Sequence, residues 1–148
     1  MRLSIDPSTV PGDYVFVHRI RVRFVETDAM GIVHHSNYLH YFEETRVAYL
    51  RHIGHPFTEW RAAGLESPVL ESFVRYRQPV RFDEEIDVHV RLASVTRATF
   101  QMAYLVTVGD AVDRSAARAT GVTVHGCSTS DGRPARLPAW LVDLARTS

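Results

Sequence analysis

Apolar and polar residues alternate with a period of two in several stretches of the chain, as expected of half-buried strands. The first stretch begins near Val15, and its apolar positions alternate with three arginines: Ile20, Val22 and Phe24 against Arg19, Arg21 and Arg23. Later stretches predict strands over 67–77, 86–92, 100–108 and 115–125. Small residues on one face of the last stretch predict close packing of a helix against it.

The period changes to that of a helix over 38–53. Apolar or aromatic side chains recur there at three- and four-residue spacing: Tyr38, Tyr41, Phe42, Thr45, Tyr49 and Ile53. Ser36 or Asn37 is suited to the N-cap of this helix. Shorter helices are predicted over 57–63 and 138–146. One long helix followed by a meander of strands predicts an α+β fold with a single antiparallel sheet.

The first twelve residues show neither pattern and contain Asp6, Pro7 and Pro11. We therefore predict a flexible leader over 1–12 and one domain over 13–148, a suitable length for a single domain. The formal net charge of +0 gives no support for a nucleic-acid partner. No stretch is long and apolar enough for membrane insertion. The single cysteine, Cys127, cannot form an intramolecular disulfide, and a cytoplasmic location is expected.

Asp28 lies between the first predicted strand and the long helix. Asp28 and Gly31 occupy the first and last positions expected in a type I turn. Backbone N–H groups at the start of the next helix could stabilise an oxygen that becomes negative during acyl transfer. A carboxylate beside them could attack a thioester carbon or activate water. Judged from the local sequence alone, an aspartate at this position more often closes the turn with its own backbone than takes part in catalysis.

The histidines near this turn do not have the spacing of a zinc site. His34 and His35 are adjacent and His40 follows, without a cysteine or glutamate that completes a ligand set. We therefore predict no bound metal. With an ordinary pKa near 6.5, His34 or His35 could act as a base or could simply shape the helix start. Glu43, on the long helix, either lines a pocket or is a solvated charge.

Segment 23–38 reads RFVETDAMGIVHHSNY and resembles the signature of the 4-hydroxybenzoyl-CoA thioesterase family. It is most similar to the acyl-CoA thioesterases associated with the Tol-Pal system. The similarity continues at 41–46 (YFEETR), 75–84 (RYRQPVRFDE) and 133–138 (RPARLP). Three residues depart from the pattern. Glu26 replaces an aspartate, Met30 stands where a small residue is frequent, and His34 stands where an aromatic residue is usual.

This resemblance implies a hotdog fold, in which the antiparallel sheet wraps around the long central helix. It implies hydrolysis of an acyl-CoA without a cofactor, with Asp28 as nucleophile or general base. The backbone N–H of His35 would polarise the thioester carbonyl, and a role for its side chain stays open. Residues with implied substrate contacts are Gly31, Val33, His34, Ser36, Tyr38 and Glu43. Arg97 would meet the phosphates of CoA, although a surface arginine is an equally good interpretation.

The resemblance also implies homodimers with active sites at the subunit interface, commonly paired into tetramers. Two alternative functions stay open. A thioesterase acting on acyl carrier protein would use the same catalytic residues and a basic docking surface, such as one formed by Arg19, Arg21 and Arg23. A non-catalytic module that binds acyl-CoA would not need a carboxylate at the thioester carbon, so Asp28 argues against it.

Overall fold

The computed structural model describes residues 4–109 and 117–147. Three α-helices are present in these ranges: α1 (Asn37–His52), α2 (Phe57–Ala62) and α3 (Ala139–Thr147). The strands are β1 (Phe16–Arg21), β2 (Leu65–Glu66), β3 (Val69–Tyr76), β4 (Glu85–Val95), β5 (Phe100–Val108), β6 (Ala117–His125) and β7 (Ser128–Thr129). Two 3₁₀ turns cover Pro11–Asp13 and Phe24–Glu26. None of the described helices has the length and apolar character needed to cross a membrane.

Five strands form one antiparallel sheet in the order β1-β4-β5-β6-β3, and β2 pairs with β7 separately. The α+β prediction with one main antiparallel sheet is therefore confirmed, and most element bounds agree with the sequence pattern. Residues 115 and 116 of the last predicted strand, and residues 1–3 of the predicted leader, lie outside the described ranges. The flexible leader stays a prediction.

Helix α1 packs across the sheet through one apolar side. The ring of Phe42 stacks on Tyr104 of β5 with centroids 4.3 Å apart. At Gly121 of β6 a Cβ atom would lie 2.3 Å from Cε2 of Phe42, so only glycine fits beneath this ring. The predicted close approach of a helix to small residues of the last strand is thus confirmed. It fixes the position of α1, and with it the loop that precedes α1.

The first strand ends earlier than its alternating pattern predicts. β1 stops at Arg21, and the chain then turns through the 3₁₀ segment Phe24–Glu26. The backbone N–H of Arg23 donates to the carboxylate of Glu26 at 2.8 Å, which holds the chain in the turn. Phe24 is consequently 75% exposed instead of lying on the apolar face of a strand.

Candidate active site

Asp28 starts the predicted tight turn. The N–H of Gly31 donates to the backbone oxygen of Asp28 at 3.0 Å, and Gly31 has a φ of 76°, which favours glycine. The N–H of Met30 donates to Oδ1 of Asp28 at 2.8 Å, so this oxygen closes the turn. Within the described ranges, Oδ2 accepts no hydrogen bond. Asp28 therefore both closes its turn and keeps one carboxylate oxygen available for chemistry.

Glu26 anchors the loop that carries Asp28. Its buried carboxylate accepts from the hydroxyl of Tyr41 at 3.0 Å and from the guanidinium of Arg23 at 3.1 Å. Its carbonyl oxygen accepts from the N–H of His34 at 2.9 Å and from the side-chain amide of Asn37 at 2.8 Å. One residue thus joins the 3₁₀ turn, the loop and the first turn of α1. The sequence pattern marks Glu26 only as a replacement for an aspartate and gives no sign of this role.

The far end of the loop is attached to the segment after β3. The N–H of Val33 donates to the carbonyl oxygen of Val80 at 2.8 Å, and Ile32 forms an isolated bridge with Arg81. Val33 and Val80 are both buried. The loop is therefore held at both ends, as a positioned catalytic group requires.

A cavity of about 350 Å³ opens beside this loop. It brings together four residues that the sequence analysis singled out, Asp28, Val33, His35 and Tyr38, with others that it did not assign to the site. The added lining residues are Ile32, Tyr76, Arg77, Gln78 and Pro79. Ile32 belongs to the Asp28 loop, whereas the other four lie at the end of β3 and just after it, more than forty residues along the chain, and only the folded sheet brings them to Asp28.

His35 lies two residues before the start of α1 and lines this cavity. Its carbonyl oxygen accepts from the hydroxyl of Tyr76 at 3.2 Å. Its N–H has no acceptor in the part of the chain that the structure describes. Ser36 occupies the predicted N-cap position, but its side chain lies 2.8 Å from Nδ1 of His34 instead of capping the helix. The His35 N–H is therefore available to a substrate oxygen.

Tyr38 provides a second donor at the cavity. The residue is 3% exposed, and its hydroxyl makes no hydrogen bond to any described residue. Burial, with a smaller effect of the neighbouring Tyr76 phenol, raises the pKa of Tyr38 to about 12. At neutral pH the phenol is consequently protonated and can donate a hydrogen bond.

The remaining predicted residues do not line this cavity. Gly31, His34 and Ser36 are exposed on the same loop. Glu43 lines a different cavity, together with Arg46. Arg97 is exposed in the turn between β4 and β5 and borders a surface cavity with Arg136 and Arg146. Among the residues that the structure describes, no group of three or more His, Cys, Asp or Glu side chains could hold a metal ion.

The residues around this cavity thus supply a half-buried carboxylate, a protonated phenol and a backbone N–H that has no acceptor among residues 4–109 and 117–147. Such a set can hold a carbonyl group, stabilise negative charge on its oxygen and attack its carbon directly or through water. These are the requirements of acyl transfer to water.

Comparison with known proteins agrees with this chemistry. A family model described as the thioesterase-like superfamily matches residues 22–144. A protein of Aquifex aeolicus named "Putative esterase" is 38% identical over 88% of this chain and 98% of its own length. The acyl-CoA thioesterase YbgC of Haemophilus influenzae is 34% identical over 59% of this chain and 65% of its own. A solved DHNA-CoA thioesterase from Staphylococcus aureus superposes with a TM-score of 0.77 and 26% identity, covering 88% of this chain and 85% of that one.

Proposed function

The chain belongs to the thioesterase-like superfamily, and on that premise we propose that it hydrolyses an acyl-CoA to free CoA and a carboxylic acid. The predicted hotdog fold is confirmed by its solved neighbours. The observation that carries the proposal is that, among the described residues, neither Oδ2 of Asp28 nor the N–H of His35 has a hydrogen-bond partner, and both residues line one cavity. Relatives named as acyl-CoA thioesterases support CoA as the thiol.

Asp28 acts in one of two ways in this proposal. As a nucleophile, its Oδ2 attacks the thioester carbon, the C–S bond breaks, and water then hydrolyses the mixed anhydride. As a general base, it takes a proton from the attacking water, and the departing CoA sulfur takes up a proton. In both cases one water molecule is consumed for each thioester cleaved, and CoA leaves as the free thiol. The fixed Oδ1 supports either role, because it leaves Oδ2 with a defined direction.

The start of α1 stabilises the reacting carbonyl. His35 lies in the loop that leads into the sixteen-residue helix α1. Backbone dipoles at the start of a helix favour negative charge. We propose that the thioester oxygen accepts from this N–H, and that the Tyr38 phenol donates to the acyl group. The resemblance also assigns substrate contacts to Gly31, Val33, His34 and Ser36, and Val33 lines the cavity itself.

Within the superfamily, we place the chain with the 4-hydroxybenzoyl-CoA thioesterase family, near the subgroup associated with the Tol-Pal system. The motif around Asp28 supports this placement. For the phosphates of CoA we propose Arg97, and its proximity to Arg136 and Arg146 around one surface cavity supports a basic contact there. No cofactor is needed, and a cytoplasmic location suits the single buried thiol of Cys127.

Ion pairs on β1 argue against acyl carrier protein as the preferred carrier. A basic docking surface would need free arginines, yet each of the three candidates is paired with an acid. Arg19 donates to Asp87 at 2.8 Å, and Arg21 to Glu85 at 3.2 Å. Arg23 is bound to Glu26, as described above. The local charges largely cancel, so CoA is the favoured carrier.

We propose a homo-oligomer, a dimer or a tetramer, in which a partner subunit covers the outer side of the catalytic loop. Exposed apolar side chains flank that loop: Phe24, Val25, Met30 and Phe82 are 75%, 79%, 76% and 50% exposed. The rings of Phe24 and Phe82 meet edge to face with centroids 5.5 Å apart. Apolar groups that cluster in this way favour burial by another protein surface. Glu43 would reach a substrate only through such an assembly.

A thiol-release assay with short, long and aromatic acyl-CoAs tests the proposed function. We expect hydrolysis of at least one class, and a loss in kcat of at least about 100-fold in Asp28→Asn. Asp131→Asn is the matched control, because Asp131 is exposed in the turn after β7 and lines neither the Asp28 cavity nor the cavity beside Arg97. If the wild-type protein binds CoA but releases thiol from no substrate, the non-catalytic binding module replaces this proposal. Equal activity of Asp28→Asn and wild type would refute the role of Asp28.

A further inference from the structure

The segment between β3 and β4, residues 77–84, forms one wall of the Asp28 cavity and contains neither a helix nor a strand. The carbonyl oxygen of Val80 in this segment accepts from the N–H of Val33, which attaches the far end of the catalytic loop to it. A shift of the segment would therefore move the loop that carries Asp28. Three consecutive residues of the segment line the cavity directly: Arg77, Gln78 and Pro79.

Arg118 of β6 is bound to all three of these lining residues. Its carbonyl oxygen accepts from the N–H groups of Arg77 at 2.8 Å and Gln78 at 3.0 Å. Its Nη1 donates to the carbonyl oxygen of Pro79 at 2.8 Å. Strand β6 lies between β5 and β3, so these hydrogen bonds tie the wall of the cavity to the interior of the sheet. The two main-chain bonds do not depend on the side chain, whereas the bond to Pro79 does.

Glu84 links the same guanidinium to the other end of the segment. Its Oε1 lies 3.8 Å from Nη1 of Arg118 and accepts from the N–H of Arg81 at 2.7 Å. The side chains of Arg118 and Glu84 are 24% and 27% exposed, so water screens the attraction between their charges only in part. The guanidinium of Arg118 thus contacts both ends of the segment that holds the catalytic loop.

The positive charge of Arg118 also acts on the cavity. Burial, and to a smaller extent the Tyr76 phenol, raise the pKa of Tyr38, and the charge of Arg118 opposes them. An effect of this kind requires the guanidinium to lie near the Tyr38 hydroxyl. Arg118 does not line the cavity itself. It can therefore act on a substrate only through the residues that it holds and through its charge.

We propose that Arg118 is a positioning residue, whose guanidinium holds Pro79 and thereby the Val80 carbonyl that fixes the catalytic loop. The effect on catalysis rests on the proposed function, whereas the effect on the loop can be measured without turnover. Methionine at position 118 would keep an apolar stem and lose the bond to Pro79. Lysine would keep the charge and could donate to the same oxygen. The two substitutions therefore separate the role of the charged donor from that of the stem.

Amide hydrogen exchange of the full chain, followed by NMR, tests the effect on the loop. We expect the Val33 amide to exchange at least about tenfold faster in Arg118→Met than in wild type, with the Leu105 amide of the buried strand β5 unchanged. An equal acceleration at Val33 and Leu105 would indicate a general loss of stability and would overturn the proposal, as would an unchanged Val33 amide. Arg118→Gln, a shorter and uncharged side chain, gives the same comparison if Arg118→Met does not fold.

Arg21→Met is the matched control for these variants. Arg21 makes contacts of the same kind, since it donates to the carbonyl oxygen of Asp83 at 2.8 Å and to the carboxylate of Glu85 at 3.2 Å. Neither of these two partners lines the Asp28 cavity. The exchange of the Val33 amide should therefore be unchanged in Arg21→Met, and an acceleration as large as that in Arg118→Met would overturn the proposal.

Thiol release from an acyl-CoA that the wild type hydrolyses tests the effect on catalysis. We expect kcat to fall at least about tenfold in Arg118→Met with little change in KM, and Arg118→Lys to recover most of the loss. With an active wild type, an unchanged kcat in Arg118→Met, or equal losses in the methionine and lysine variants, would overturn the proposal. A wild type that hydrolyses no acyl-CoA would refute the proposed function, and the exchange of the Val33 amide would then decide whether Arg118 holds the loop.

Discussion

The hydroxyl of Tyr76 donates a hydrogen bond of 3.2 Å to the carbonyl oxygen of His35. Tyr76 is the last residue of β3, at the edge of the sheet, and His35 lies two positions before the first residue of the long helix. The Tyr76 ring also meets the ring of Tyr38 edge to face, with centroids 5.1 Å apart. The end of a strand thus holds the residue that offers its N–H to the substrate.

We predict that Tyr76→Phe lowers kcat about threefold to tenfold and changes KM little. The substitution keeps the ring contacts and removes one neutral hydrogen bond, worth about 0.5–1.5 kcal/mol. The His35 N–H would then be less well fixed where charge develops in the transition state. The measurement is steady-state thiol release with the best acyl-CoA.

Tyr14→Phe is the matched control for Tyr76→Phe. The Tyr14 hydroxyl also donates to a backbone oxygen, that of Ser8, at 2.7 Å, but Tyr14 does not line the Asp28 cavity. Its removal should leave kcat unchanged. Equal losses in both variants, or a change confined to KM, would show that Tyr76 does not position His35.

Glu26→Gln should weaken both the fold and the activity. The amide cannot accept as many hydrogen bonds as the carboxylate, which accepts from Arg23 and Tyr41. We expect the free energy of unfolding to fall by about 1–3 kcal/mol, with thioesterase activity reduced even where the variant is fully folded. Urea unfolding and thiol release on the same preparation give both quantities.

Glu44→Gln provides the comparison for Glu26→Gln. Glu44 is exposed on α1 and contacts His18 at 3.1 Å, a surface pair that contributes little to stability. Its removal should change the free energy of unfolding by less than about 0.5 kcal/mol. An equally small effect of Glu26→Gln would contradict the anchoring role of Glu26.

Gly121→Ala should destabilise the protein by about 1–3 kcal/mol, because the new Cβ meets the ring of Phe42 in a packed core. Gly12→Ala is the control, since a Cβ at Gly12 meets nothing within 4 Å. Thermal unfolding of both variants checks this expectation. An unchanged midpoint for Gly121→Ala would mean that α1 can shift away from the sheet at no cost.

Acid should weaken the fold through His125. Burial, together with the charge of Arg46, lowers its pKa to about 3 in the folded protein, against about 6.5 for an ordinary histidine, so the unfolded chain takes up the proton more readily. Stability supplied by the neutral imidazole is present above about pH 6.5 and is lost as the pH falls towards 3. Urea unfolding between pH 7 and pH 5 should show a steeper loss for wild type than for His125→Gln. Parallel plots of stability against pH for wild type and His125→Gln would contradict this assignment. The control is His40→Gln, at an exposed histidine, whose plot should match that of wild type.

The sequence predicts the elements of this fold well because their patterns are local. The helical spacing that starts near Tyr38 and the alternation in β1 each record the face that the fold covers. The turn from Asp28 to Gly31 is equally local, since both hydrogen bonds that define it join residues within three positions of each other.

Other parts of the site depend on contacts between distant parts of the chain. Tyr76 reaches His35 across forty-one positions, and Tyr41 reaches Glu26 across fifteen. Neither pair follows from a periodic pattern, because each requires the helix to be already placed on the sheet. The same holds for the arginines of β1: alternation predicts an outward charged face, but only the pairing of β1 with β4 places Asp87 opposite Arg19.

The contact between Phe42 and Gly121 also limits how the sequence can diverge. A side chain at position 121 would need the space that the Phe42 ring now fills. Substitutions at these two positions are therefore not independent: a larger residue at 121 becomes tolerable once a smaller one stands at 42. Across relatives we expect the two positions to covary, although seventy-nine residues of sequence separate them.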